Sequence, residues 1–241
     1  MTQIDLEEIK IANEEYFQLV KSGQNNQFDK RKREKFLSLF EGKPQLEEQF
    51  IANIEAFKPS NVQIAVDEAA EHINDLEGIY FKQFKDGSFI VVEYELKKVK
   101  NGNKKEINPM SISYIPLGEY EVTWTLRLSH ILYPDTRLIL RTNMDVKESE
   151  IKVWDATALS NYQPPFVNVT QSASILDDRS TSSSDPARTK GEYKVTYAGS
   201  DGTGIYVQSY TLRTTIYHLG YDPRPAYNGV KTEIEHTYQE N

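Results

Sequence analysis

Four histidines, His72, His130, His218 and His236, are the residues most able to ligate a metal or move a proton near neutral pH. Zinc and iron sites bring two ligands close in sequence, as in H-E-x-x-H or H-x-D. No pair here has that spacing, although His218 and His236 could meet across neighbouring strands. Gly199, Gly202 and Gly204 superficially resemble a phosphate loop. Such a loop must run from a strand into a helix N-terminus, so that amides face the phosphate. A strand pattern follows instead, so these glycines read as a hairpin connection. No serine lies in a Gly-x-Ser-x-Gly elbow. Asp177-Asp178 and the pair Glu119 and Glu121 offer carboxylates, but acid–base work needs two carboxyls at a set separation across a cleft. No catalytic, cofactor-binding or metal-binding residue is therefore nominated, and no cofactor is expected.

Three groups could instead make contacts with partners. Lys30, Arg31, Lys32, Arg33 and Lys35 form a basic run. It could touch phosphates of DNA in passing, or pair with Glu34, Glu41 or another subunit. Residues 171–190 hold Ser182, Ser183 and Ser184 among many other hydroxyls, and their composition predicts an extended loop or interaction arm. Fifteen tyrosines are present, and Tyr206, Tyr210, Tyr217, Tyr221 and Tyr227 crowd the C-terminal third. Tyrosine suits interfaces and sugar-binding faces as well as sheet cores.

The chain that must position these groups has 241 residues, which suits one large domain or a small one joined to a larger. Its net charge of -8 argues against a protein devoted to nucleic acid or anionic membrane. The absence of cysteine removes disulfides, thiolate sites and a thiol nucleophile together. The first residues lack the basic and apolar regions of a signal peptide, and no window approaches a membrane-helix length of apolar residues.

The apolar period changes once along the chain. Ile9, Ala12, Tyr16 and Leu19 share a helical face, which predicts a helix over 4–22 capped by Thr2 and followed by Gly23. Further helices are expected over 28–41, from Pro44 to Pro59, and from Ser60 or Asn61 to a stop at Gly78. Beyond Gly78, Asp86-Gly87 and Asn101-Gly102 are hairpin signals. Residues 120–128 alternate apolar and polar side chains, as in a sheet with one dry face. Further strands are expected at 136–142, 150–154, 192–198, 204–218 and 229–238. The expected fold is α+β: a helical region at 1–78, then an antiparallel β-sandwich or barrel-like domain at 79–241. Gly118-Glu119-Tyr120-Glu121-Val122-Thr123-Trp124 is similar to Gly191-Glu192-Tyr193-Lys194-Val195-Thr196-Tyr197, each expected to open a strand after a turn.

This order of parts, helices then sheet then long loop, loosely resembles small structural proteins of tailed-phage virions of the neck, head–tail adaptor or tail-completion type. The resemblance implies copies arranged around a channel, assembly in the host cytoplasm, residence in the virion, and no catalysis. It implies a homo-oligomer that contacts neighbouring structural proteins and no membrane. A ligand- or carbohydrate-binding β-sandwich module is the alternative, followed by an enzyme with an unrecognised site.

Overall fold

The computed structural model describes residues 2–73, 76–99, 113–133, 135–162, 166–199, 204–225 and 227–239. Four helices come first: α1 (Gln3–Lys21), α2 (Lys30–Leu37), α3 (Pro44–Asn53) and α4 (Pro59–His72). Strands follow: β1 (Gly78–Gln83), β2 (Phe89–Lys98), β3 (Ser113–Ile115), β4 (Gly118–Ser129), β5 (Thr136–Val146), β6 (Ile151–Asn161), β7 (Val167–Asp177), β8 (Arg179–Ser180), β9 (Ala187–Ala198), β10 (Gly204–Asp222) and β11 (Gly229–Gln239). The fold is α+β, with two antiparallel sheets in a sandwich-like arrangement. The first sheet runs β1-β2-β4-β5-β6-β8, and the second runs β3-β11-β10-β9-β7.

Local chemistry explains the helix boundaries. The Thr2 hydroxyl accepts from Asp5 N–H while the Asp5 carboxylate takes the Thr2 N–H, closing a capping box. Proline opens both α3 and α4 at positions where a missing N–H costs nothing. Pro59 thus starts α4 rather than only ending the helix before it. That earlier helix stops at Asn53, and Ile54 and Phe57 are buried through a short 3-10 turn. Helix α4 ends at His72, short of the expected stop, and Gly78 belongs to β1.

Alternation along β4 places Tyr120, Val122, Trp124, Leu126 and Leu128 between the sheets, all buried. The opposite face is not uniformly wet. Phe89 and Val91 of β2 lie there opposite Ser129 and Arg127. Helix α1 covers them, with Phe17 at 5.1 Å and Tyr16 at 5.9 Å from the Phe89 ring centroid. One continuous core therefore joins helical residues such as Ile9, Phe40, Ile51 and Val66 to strand residues such as Val92, Trp124 and Tyr210. The boundary near Gly78 separates types of secondary structure, not separate cores. A smaller cluster around Val122, Met144 and Ile216 fills the end of the sandwich away from the helices.

The expected loop at 171–190 is not a loop. Residues 167–177 form β7, which pairs along its length with β9. At Asp177–Arg179 the chain changes sheets, and β8 pairs with β6. The chain thereby stitches the two sheets together on that side. The Ser/Thr-rich composition misleads because an edge strand need not bury two apolar faces. The related heptads also differ in setting. Gly118 opens β4, whereas Gly191 sits inside β9, where an added Cβ would lie 2.9 Å from the Tyr193 hydroxyl. Both segments nonetheless send their alternate residues into the same inter-sheet space.

The Asp86-Gly87 signal is a five-residue connection in which Gly87 has φ 79°. Helix α1 passes so close that a Cβ there would meet Lys10 O at 2.7 Å. Asn101-Gly102 lies outside the described residues. Asn13 of α1 links this turn to the β4–β5 connection: its Nδ2 donates to Asp86 O at 3.2 Å, and its Oδ1 accepts from Ile131 N–H at 2.7 Å. Asn13→Ala should strand both main-chain groups and lower the unfolding free energy by about 2–4 kcal/mol. Exposed Gln18→Ala should stay within about 0.5 kcal/mol of wild type. Urea unfolding of the two variants measures the difference.

Candidate functional site

The basic run is mostly consumed within the chain. Asp29 caps α2 and pairs with Arg31 at 3.0 Å. Lys32 reaches Glu15 of α1, and Lys35 reaches Glu8 at 2.7 Å. Arg33 turns inward and donates from Nε to the Ile131 carbonyl at 2.6 Å. Lys30 remains exposed. The run is chiefly the seam by which α2 docks on the acidic side of α1.

The tyrosines do not gather into a platform. Tyr210 is fully buried and donates to Phe57 O at 3.2 Å. Tyr193 donates across the sandwich to Ile139 O at 2.5 Å. Tyr206 shares the inward parity of β10 and packs 5.9 Å from the Tyr197 ring. Tyr217 faces outward to Glu235 at 3.0 Å, and Tyr227 packs on Tyr114 near the far end of the strand.

The histidines are separately placed. His218 opposes Thr232, and His236 opposes Thr214, so the two do not meet. His218 bonds the Glu148 carbonyl at 3.0 Å, and His72 bonds the Glu68 carbonyl at 2.7 Å. His130 is buried, and its Nδ1 accepts from Leu132 N–H at 3.1 Å. His236 lies 4.3 Å from Tyr94 and shares a hydrogen bond with Thr214. Burial pushes both His130 and His236 down to about 3. Among the described residues, no three His, Asp or Glu side chains converge as metal ligands.

Ser182, Ser183 and Ser184 occupy a tight turn. Ser182 bridges Asp185, and Thr181 donates to the Asp185 carboxylate at 3.2 Å. Ser180 is buried beneath it, accepting His218 N–H at 2.9 Å. The turn is anchored to the sandwich rather than extended from it.

What stands out on this side is β7 itself. Among the described residues it has a strand partner on one side only. From Val167 to Leu176 it carries no charge and no proline. Asn168, Thr170, Gln171, Ser172 and Ser174 are exposed. Edge strands are normally guarded by Lys, Pro, shortness or a covering element. The other sheet ends have such guards: β3 is three residues long, β8 is two, and α4 packs against β1. At the C-terminal end of β7, Leu176 is 51% exposed. Trp154, at the irregularity where Asn143 pairs Asp155 and Met144 pairs Val153, is equally exposed. Val153 N–H donates to Asp178 O at 2.8 Å, so both apolar residues flank the crossing between sheets. A shallow groove of about 260 Å³ lies over the paired strands β7, β9 and β10, lined in part by Thr170, Ser172, Lys194 and Ser209. Sequence reading located this segment through Ser182–Ser184 but mistook its backbone state. The lack of charge over ten residues was the signal that could have found the edge.

The buried histidines predict a pH response. The unfolded chain takes up protons near 6.5, the native chain only near 3. Stability should therefore fall as pH drops from about 6.5 toward 3, by up to about 1.4 kcal/mol per pH unit for each histidine. Unfolding free energies measured between pH 7 and 4 should show this slope, and His236→Gln should reduce it. No protein-family model matches the chain, and no curated protein or solved structure does either.

Proposed function

We propose that the protein is a non-enzymatic structural subunit that assembles by strand addition at β7. The kind of assembly proposed is a tailed-phage connector or tail component. The observation that carries the reading is the long, uncharged, one-sided edge of β7, ending beside exposed Leu176 and Trp154. A strand from the next copy can take up main-chain bonds along this edge, with those two side chains as apolar anchors. A head-to-tail contact of this kind closes into a ring if its rotation permits. Of the tyrosines that would serve a sugar-binding reading, Tyr210 is spent on an internal bond and Tyr206 packs against Tyr197, while the outward-facing Tyr217 and Tyr227 do not lie together. The virion setting and host-cytoplasm assembly belong to the same proposal.

Native mass measurement tests it. Wild type at high micromolar concentration should form discrete multimers. Ser172→Lys with Ser174→Lys should yield a folded monomer, because edge lysines repel an incoming strand. A wild type that stays monomeric, or a double variant that assembles unchanged, sinks the β7 interface.

A further inference from the structure

A second feature lies on the outer face of the first sheet, away from β7. Arg127 of β4 and Arg137 of β5 sit directly opposite each other on one face. Like charges in that position repel. Asp135 compensates one of them, pairing with Arg127 Nη2. It also accepts from Ser129 and from the Tyr16 hydroxyl of α1, the latter at 2.9 Å. The Arg127 side chain is about nine-tenths buried, yet its Nε–H has no hydrogen-bond partner among the described residues. Buried donors of a charged group are rarely left so. Arg137 makes no ion pair or hydrogen bond among the described residues.

Both arginines line a small cavity of about 60 Å³ under Val20, near the end of α1. Phe81 and Val91 form its apolar wall, and Thr125 adds a hydroxyl. Glu93 stands in the next row, opposite Thr125 and joined to neither arginine by an ion pair among the described residues. The space holds about two waters or one small oxyanion group.

We propose that this cavity is a binding site for a small monocarboxylate with a short apolar tail. A planar carboxylate matches the guanidinium fork of Arg137, which lines the cavity and makes no ion pair among the described residues. It would also separate the facing positive charges. Asp135 offsets one of the two arginines and the Glu93 carboxylate in the lining offsets more, so a second negative charge on the ligand is opposed. The chemistry therefore selects a monoanion over phosphate. The apolar wall selects an acid such as propionate over formate.

Thermal unfolding of the full chain in sodium propionate, sodium chloride and sodium phosphate at matched ionic strength tests this. A ligand that binds only the native state raises the midpoint saturably. Propionate should do so for wild type, and chloride should not. Arg137→Met should abolish the gain, and Arg137→Lys should weaken it several-fold while keeping the charge. Glu93→Gln should strengthen propionate binding. An equal response to propionate and chloride overturns the site. A gain retained in Arg137→Met overturns the role of that residue. A phosphate response as large as that of propionate overturns the monocarboxylate assignment.

Discussion

The structure depends on a connection that is buried instead of exposed. Between β4 and β5 the chain runs through His130, Ile131, Leu132 and Tyr133, each at most 1% exposed. A loop in that position must find partners for its main chain without water. The helices supply them. Asn13 of α1 accepts from Ile131 N–H, and Arg33 of α2 donates to Ile131 O. His130 closes the loop locally by accepting from Leu132 N–H. Glu47 of α3 is buried with the Tyr133 hydroxyl at 3.0 Å. Burial first, and the neighbouring Glu47 carboxylate second, push that hydroxyl well up and keep it a donor. The helical third is thus a plug that completes one end of the sandwich.

That constraint accounts for residues that otherwise invite functional readings. Arg33 stands in a basic run because α2 meets two neighbours: lysines reach the acids of α1, and the arginine reaches a buried carbonyl. His130 remains neutral because burial among Phe50, Phe57 and Tyr133 disfavours its charged form and the Arg33 charge adds to this. Tyr210 and Tyr193 brace the interior by donating to carbonyls on other elements. Each buried hydroxyl thereby finds an acceptor inside the core. Chemistry-bearing residue types are therefore abundant here for reasons of satisfaction in a wide, aromatic core.

The layout was legible where one period dominates. α1 and β4 follow directly from spacings of three to four and of two. Strands β2, β5, β9, β10 and β11 were legible in large part for the same reason, and so was the α+β order. Three things were not. The helix boundaries around Asn53 and His72 depend on tertiary contacts, since Ile54 and Phe57 continue an apolar spacing through a turn that is no longer α-helical. Burial of Arg127 on the nominally wet face of β4 depends on α1, more than 100 residues away in sequence. Strand β7 was invisible to apolar periodicity because much of its length is exposed and its polar residues are short and neutral. Composition alone could not distinguish that strand from a flexible segment.

The same property makes β7 unusual as a surface. Serine and threonine at an edge keep the strand soluble while leaving its main chain accessible. A charged guard would prevent unwanted pairing at the cost of wanted pairing. Elsewhere the chain uses guards freely: short strands at β3 and β8, and a helix at β1. Strand β6 beyond Lys152 is also paired on one side only among the described residues, but it carries Asp155, whereas β7 from Val167 to Leu176 carries no charge. The crossing into β8 also fixes β7 from behind, so its register does not have to be established by an incoming strand. A preformed, neutral and rigidly backed edge lowers the ordering cost of strand addition. The buried β4–β5 connection holds the opposite end of the sandwich together, which leaves this side free to make contacts that the monomer does not need.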